Sequence, residues 1–326
     1  MPKPNTAKLF KLLLSLPLVA VHFCNAANID SLVSPKDRNY FSLKGAVKSF
    51  AAKTYIPPTH TVAFSGTAQA ILPNYKNESS MAATFDTTGR LASLTVAAPA
   101  HYKSGKITET KGRYYYRNDK LVALARQEEG KPLDSIELRY KRNGKQEYYR
   151  IFDARGKVRS QYTFTWRADK LTMMRERNGE NFPIGTTKYV YQNDCLSEVQ
   201  ELDDQLRMGK IKRMATRKEN NGNTSQSFST SNGAGKLIEG STRLRDAAGH
   251  LLEESLINDE RQVTSSTIFT YNQNGDAVTE KHFDLLGEAM FDMVYQYDNH
   301  KNWIQKDMYQ SGILVSSTIR TYEYFE

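Results

Sequence analysis

The densest set of residues suited to chemistry is a basic run, RMGKIKRMATRK, residues 207–218. Alternate side chains of a strand share a face, so Lys210 and Lys212 fall together with Ile211 opposite, and Arg213 and Arg217 follow. These four residues offer a shallow ligand-binding site for an anionic glycan or lipid headgroup, with exposed tyrosines as helpers. A plainer use is open to the same residues, because Lys and Arg on exposed strands deter edge-to-edge aggregation. The adjoining polar stretch, about 215–235 (ATRKENNGNTSQSFSTSNGAG), reads as a long surface loop, or as a loop that touches the ligand.

Catalytic patterns do not accompany that run. Past the first 26 residues the histidines stand singly, at His60, His101, His250, His282 and His300. Metal ligation needs such residues clustered at short spacing. The sequence has no HExxH pattern, no P-loop and no GxSxG elbow. Glu198, Glu201, Asp203 and Asp204 crowd together as solvated turn or strand-edge residues do, without the pocket and partner groups that acid–base work demands. The expectation is a non-enzymatic protein with no catalytic residue, no metal and no cofactor.

Residues 1–26 read as a secretory signal. Lys3, Lys8 and Lys11 precede the short apolar run Leu12 to Val21, and small residues around Ala26 and Ala27 offer a cleavage site. The run is too short to span a bilayer, which takes about 20 residues, so no transmembrane helix is expected. Cys24 opens the alternative of a lipid anchor, although Val21, His22 and Phe23 in front of it suit that poorly. Once the signal is cleaved, Cys195 is the cysteine left, so no disulfide forms within the chain. Losing three lysines and no acid takes the formal charge from +9 to +6. Export, to the periplasm or the outer surface, makes nucleic acid an unsuitable partner despite the basic balance. Another exported protein, an anionic glycan or a lipid headgroup fits better.

The elements that must carry these residues repeat. YQYDNHKNWIQKDMY, residues 295–309, pairs Tyr295 with Tyr297 on one strand face, then turns at Asp298 and reopens at Trp303. The same order recurs at 85–91 (FDTTGRL), 152–158 (FDARGKV) and 269–278 (FTYNQNGDAV). An Asp followed three residues later by Gly makes a tight turn, the carboxylate bonding its own backbone and the Gly taking positive φ. Asp86–Gly89, Asp153–Gly156, Asp246–Gly249 and Asn272–Gly275 are predicted turns of hairpins. Apolar positions alternate and turn signals return every 12 or 13 residues from Leu133 to Leu196, which excludes helix. The fold expected is all-β, an array of hairpins over residues 80–326. Residues 27–79, ending near Pro57–Pro58, read as an N-terminal cap and lead-in, because open sheet edges need atypical ends.

YQYDNHKNW and FDARGKV resemble the YD (RHS-type) repeats of exported bacterial proteins, whose pattern is Tyr-x-Tyr-Asp-x-x-Gly-Asn before an apolar residue. The resemblance covers roughly 80–326 and implies an extended, curved antiparallel sheet of consecutive β-hairpins. Lys301 stands at the glycine position of the best copy, Gln146 in an apolar slot, and 215–235 lacks the motif. Large members of the family form shells that end in a toxin domain, a role this shorter chain does not share. The function expected is an exported scaffold or binding protein. Alternatives are a periplasmic immunity or antitoxin-like protein and an outer-membrane β-barrel. The last conflicts with charged outward slots such as those in LRYKRNGKQEYYR.

Overall fold

The computed structural model describes residue 41 and residues 43–56, 76–99 and 107–326. The signal segment with Cys24, the Pro57–Pro58 pair, His60 and His101 lie outside the described residues.

Alternating apolar and polar residues between tight turns give twenty strands among the described residues, in chain order. The first ten are β1 (Val47–Ile56), β2 (Lys76–Phe85), β3 (Leu91–Pro99), β4 (Ile107–Arg117), β5 (Lys120–Glu128), β6 (Lys131–Tyr140), β7 (Gln146–Asp153), β8 (Val158–Arg167), β9 (Lys170–Asn178) and β10 (Pro183–Gln192). The rest are β11 (Cys195–Asp203), β12 (Met208–Lys218), β13 (Thr224–Asn232), β14 (Leu237–Arg245), β15 (Leu251–Ile257), β16 (Val263–Tyr271), β17 (Ala277–Asp284), β18 (Ala289–Tyr297), β19 (Trp303–Gln310) and β20 (Ile313–Tyr324). Each pairs antiparallel with the next, and β20 pairs with β1, with Tyr322 opposite Phe50 and Arg320 opposite Ala52. The sheet is closed into a barrel. Closure removes both edges, the need that an N-terminal cap was expected to meet. Within 27–79, β1 is a full member of the ring, bonded to β2 on one side and β20 on the other.

The turns follow the predicted chemistry. Gly89, Gly156, Gly249 and Gly275 donate their N–H groups to the carbonyls of Asp86, Asp153, Asp246 and Asn272 at 2.9 to 3.1 Å. Asp153 Oδ1 also accepts from the N–H groups of Arg155 and Lys157, each at 2.9 Å. The positive φ at the fourth turn position is 79° at Gly156, and Lys301 adopts 65° in the same slot of its turn. The stretch 215–235, expected to be a loop, is instead the end of β12, a short turn and β13. Its alternation is hidden by composition. Ser225, Ser227, Ser229 and Ser231 occupy one face of β13, while Gln226, Phe228 and Thr230 occupy the other.

Cross-strand partners carry each face continuously round the ring. A closed sheet crowds side chains on its concave side and spreads them on its convex side, so the buried face is the inner one. Leu121, Tyr149, Ile136 and Leu171, all at most 1% exposed, lie on it within one cluster spanning β5 to β9. A second cluster gathers Leu43, Val47, Phe50, Phe85 and Leu91, and a third Phe291, Met293 and Tyr295. Contacts between strands run between sheet neighbours, and each cluster follows adjacent strands of the wall. Outward positions carry Lys111 and Arg113 on β4, Arg175 and Arg177 on β9, and the four serines of β13.

Aromatic residues latch the hairpins at their ends. The hydroxyls of Tyr140, Tyr191, Tyr271, Tyr297 and Tyr322, and Trp166 Nε1, each donate to a backbone carbonyl 19 or 20 residues earlier, at 2.6 to 3.0 Å. The acceptors, Leu121, Gln146, Leu171, Leu251, Ala277 and Trp303, sit at the starts of alternate strands. The latch spans two strands and repeats with the hairpin.

Candidate functional site

The four basic residues of β12 do not converge. Lys210 and Lys212 point to the inner face, opposite Glu201 and Val199, while Arg213 and Arg217 point outward. The period-2 alternation of the strand separates them by the thickness of the sheet. Three of them are engaged by acids: Lys212 with Glu201 at 2.7 Å, Arg213 with Glu198 at 2.8 Å, and Arg217 with Glu219 at 4.0 Å. A single site built from Lys210, Lys212, Arg213 and Arg217 is therefore not assembled by this fold.

A different group of charges is assembled, on the inner wall from β17 to β20. Register places Glu280 opposite Met293, Tyr295 opposite Lys306, and Lys306 opposite Thr318, with Arg320 two residues further along β20. Strand alternation thus sets one acid and two cations in a row on one face. Tyr295 donates its hydroxyl to Glu280 Oε1. His282 Nε2 lies 3.4 Å from Glu280 Oε2 without hydrogen-bond geometry, and its other nitrogen sits 3.0 Å from the Thr267 hydroxyl. The His282 ring stacks on Phe291 at 4.1 Å. The Arg320 guanidinium is 3.6 Å from the centre of the Trp303 ring and 4.9 Å from that of Phe50. Lys306 lies 5.9 Å from the Tyr295 ring centre and 6.0 Å from that of Trp303.

The electrostatics follow from burial. Lys306 is held below the usual lysine range by loss of water, only partly offset by Glu280, while the neighbouring charge of Arg320 lowers it further. Arg320 is lowered by the same loss of water. Burial alone would raise Glu280, but the neighbouring His282 ring, the hydrogen bond from Tyr295 and the charge of Lys306 outweigh it and hold the carboxyl below its ordinary value. Tyr295 is pushed well up by burial and by the adjacent carboxylate. Although protein surrounds them, Lys306 and Arg320 each keep part of their surface open.

Elsewhere on the inner wall, half-buried cations meet their own acids. Arg126 reaches Asp134 through two hydrogen bonds, one of them 2.6 Å from Nε, and Arg243 reaches Glu254 at 2.6 Å. The row at Lys306 and Arg320 differs: Glu280 acts on Lys306, while Arg320 lies against the rings of Trp303 and Phe50. Sequence reasoning missed it, although a signal was present. Arg320 precedes Tyr322 by two positions, so it belongs to the aromatic face, as Lys306 belongs with Met308.

No family model matches this chain, and no curated protein does. Among solved structures, it is similar to a porin-like protein from Bacteroides uniformis, at 10% identity and TM-score 0.35, over 86% of this chain and 99% of the other. It is also similar to part of a Photorhabdus luminescens Tc holotoxin pore, at 12% identity and TM-score 0.34, over 84% of this chain and 16% of that one. A porin-like protein from Bacteroides vulgatus aligns over 86% of this chain and 99% of its own, at 10% identity and TM-score 0.23. Similarity at this level carries no function across, and the chemistry must be read from the faces of the barrel itself.

Proposed function

We propose that this chain is an exported, non-enzymatic binding protein, a barrel standing in water whose inner wall holds the ligand or partner. The observation that carries this reading is the division of chemistry between the two faces. Most aromatic residues and the Glu280, Lys306 and Arg320 row point inward, while Lys111, Arg113, Arg175, Arg177 and the serines of β13 point outward, beside scattered apolar residues such as Val190, Ile268 and Val294. An outer-membrane barrel requires the reverse, an apolar band outside and a polar lumen. Arg or Lys facing lipid at the midplane costs about 2–4 kcal/mol, falling towards zero at the strand ends, and Arg175 stands on the outward face well inside β9. Export rests on residues 1–26, and the non-enzymatic reading on the lack of catalytic motifs in the sequence.

Cell fractionation tests the proposal. The full chain is expressed in a Gram-negative host, beside a Cys24→Ser variant that removes any lipid attachment. Osmotic shock is expected to release the Cys24→Ser protein in soluble form, cleaved near Ala26 or Ala27 by mass spectrometry. Retention of that variant in the outer membrane, extractable by detergent alone, would overturn the reading in favour of an embedded barrel.

A further inference from the structure

The row on β17 to β20 carries more positive charge than it neutralises. Glu280 supplies one negative charge and is already engaged by Tyr295, while Lys306 and Arg320 stand side by side. Arg320 Nε and Nη1 are buried and have no hydrogen-bond partner among the described residues. A buried donor left unpaired destabilises the fold, more so when charged, so two on one guanidinium mark a place where a further acceptor belongs. Apolar clusters flank the row on both sides: Phe50, Phe85 and Leu91 beyond β20, and Phe291 and Met293 on β18. An acceptor with an apolar body suits those walls better than a bare hydrated ion.

We propose that the inner wall around Lys306 and Arg320 binds the anionic headgroup of a single-chain amphiphile, with Trp303, Phe50 and Met293 contacting its chain. The inference rests on the inner wall being the binding surface and adds the class of ligand. Arg320 offers planar donors and Lys306 a compact charge, which suits a carboxylate or a phosphate. One negative charge from the ligand would balance the row.

Calorimetric titration of the full mature chain tests this with dodecanoate, dodecan-1-ol and inorganic phosphate. Dodecanoate is expected to bind at least about tenfold more tightly than the alcohol, since charged hydrogen bonds separate the two. Lys306→Met and Arg320→Met are each expected to weaken dodecanoate by about tenfold or more while leaving dodecan-1-ol unchanged. A Lys210→Ser, Lys212→Ser double variant is expected to bind as the parent does. Inorganic phosphate binding as tightly as dodecanoate would overturn the amphiphile in favour of the free anion. Equal binding of acid and alcohol would overturn the charge-based inference while leaving the inner wall as a binding surface. No binding of any of the three would overturn the inference too, and fractionation judges the broader reading separately. Should the Met variants lose their β-sheet circular dichroism, the acid–alcohol comparison in the parent chain decides alone.

Discussion

Asn302, 1% exposed, ties the segment before β1 to the end of β20. Its side chain accepts from Lys44 N–H at 2.6 Å and donates to the Lys44 carbonyl and the Tyr324 hydroxyl, both at 2.9 Å. Asn302→Ala leaves those backbone groups unpaired, and a loss of about 2 kcal/mol in urea unfolding is expected. Asn143→Ala, which removes a single exposed contact to Lys145 N–H, is expected to cost less than about 0.5 kcal/mol. Equal effects from both would show that the Asn302 contacts do not hold the segment before β1. Acid should also weaken the fold. The Asp153 carboxyl is lowered first by backbone N–H from Lys157, Asp203 by that of Arg207, and Asp246 by the His250 side chain, all from 3.8. A carboxyl depressed in the folded state adds stability above its unfolded value and loses it as pH falls through the folded one. The melting temperature is therefore expected to hold from about pH 7 to 5 and to drop below about pH 4. A flat profile down to about pH 3 would contradict this linkage.

At the scale of the hairpin, the aromatic latch makes the clearest claim. Tyr297→Phe keeps the ring and removes its hydrogen bond to the Ala277 carbonyl. The expected cost is about 1 kcal/mol, with faster amide exchange confined to β17 and β18. Exchange that rises uniformly round the ring would mean that the latch does not act locally. Much of this level was legible in the sequence. Asp or Asn followed three residues later by Gly announces many of the four-residue turns, and the aromatic pairs at i and i+2 mark strands leading into them. β13 was not legible, because serine fills its outward face and only Phe228 among its inward residues is apolar. The basic run misled for the opposite reason. Its charges are adjacent in sequence, while strand alternation sends Arg213 outward and Lys212 inward. The Lys306 and Arg320 row needs the register of β18, β19 and β20 together, and single-strand periodicity does not supply it.

At the scale of the whole molecule, the decisive event is the meeting of β1 and β20, partners such as Phe50 and Tyr322 that lie far apart in sequence. No local pattern announces that pairing. Hairpin grammar is the same in an open sheet and a ring, and loop-closure entropy rises only slowly with the length enclosed. Closure gives the two faces different fates. One becomes a crowded, aromatic and partly charged interior, and the other an outward surface rich in small and charged residues, with Gln305, Asp307 and Ser317 buried among them. The claim that recognition is turned inward stands on that division. It can be measured with single cysteines on β13 in a Cys195→Ser chain, Ser227→Cys on the exposed outward face and Thr230→Cys on the inward one. A polymer-coupled maleimide is expected to modify Ser227→Cys at the rate of a free thiol and Thr230→Cys at least about tenfold more slowly, because the wall shields it. Equal rates, or faster modification at Thr230→Cys, would contradict an inward-facing interior and with it the proposed mode of binding.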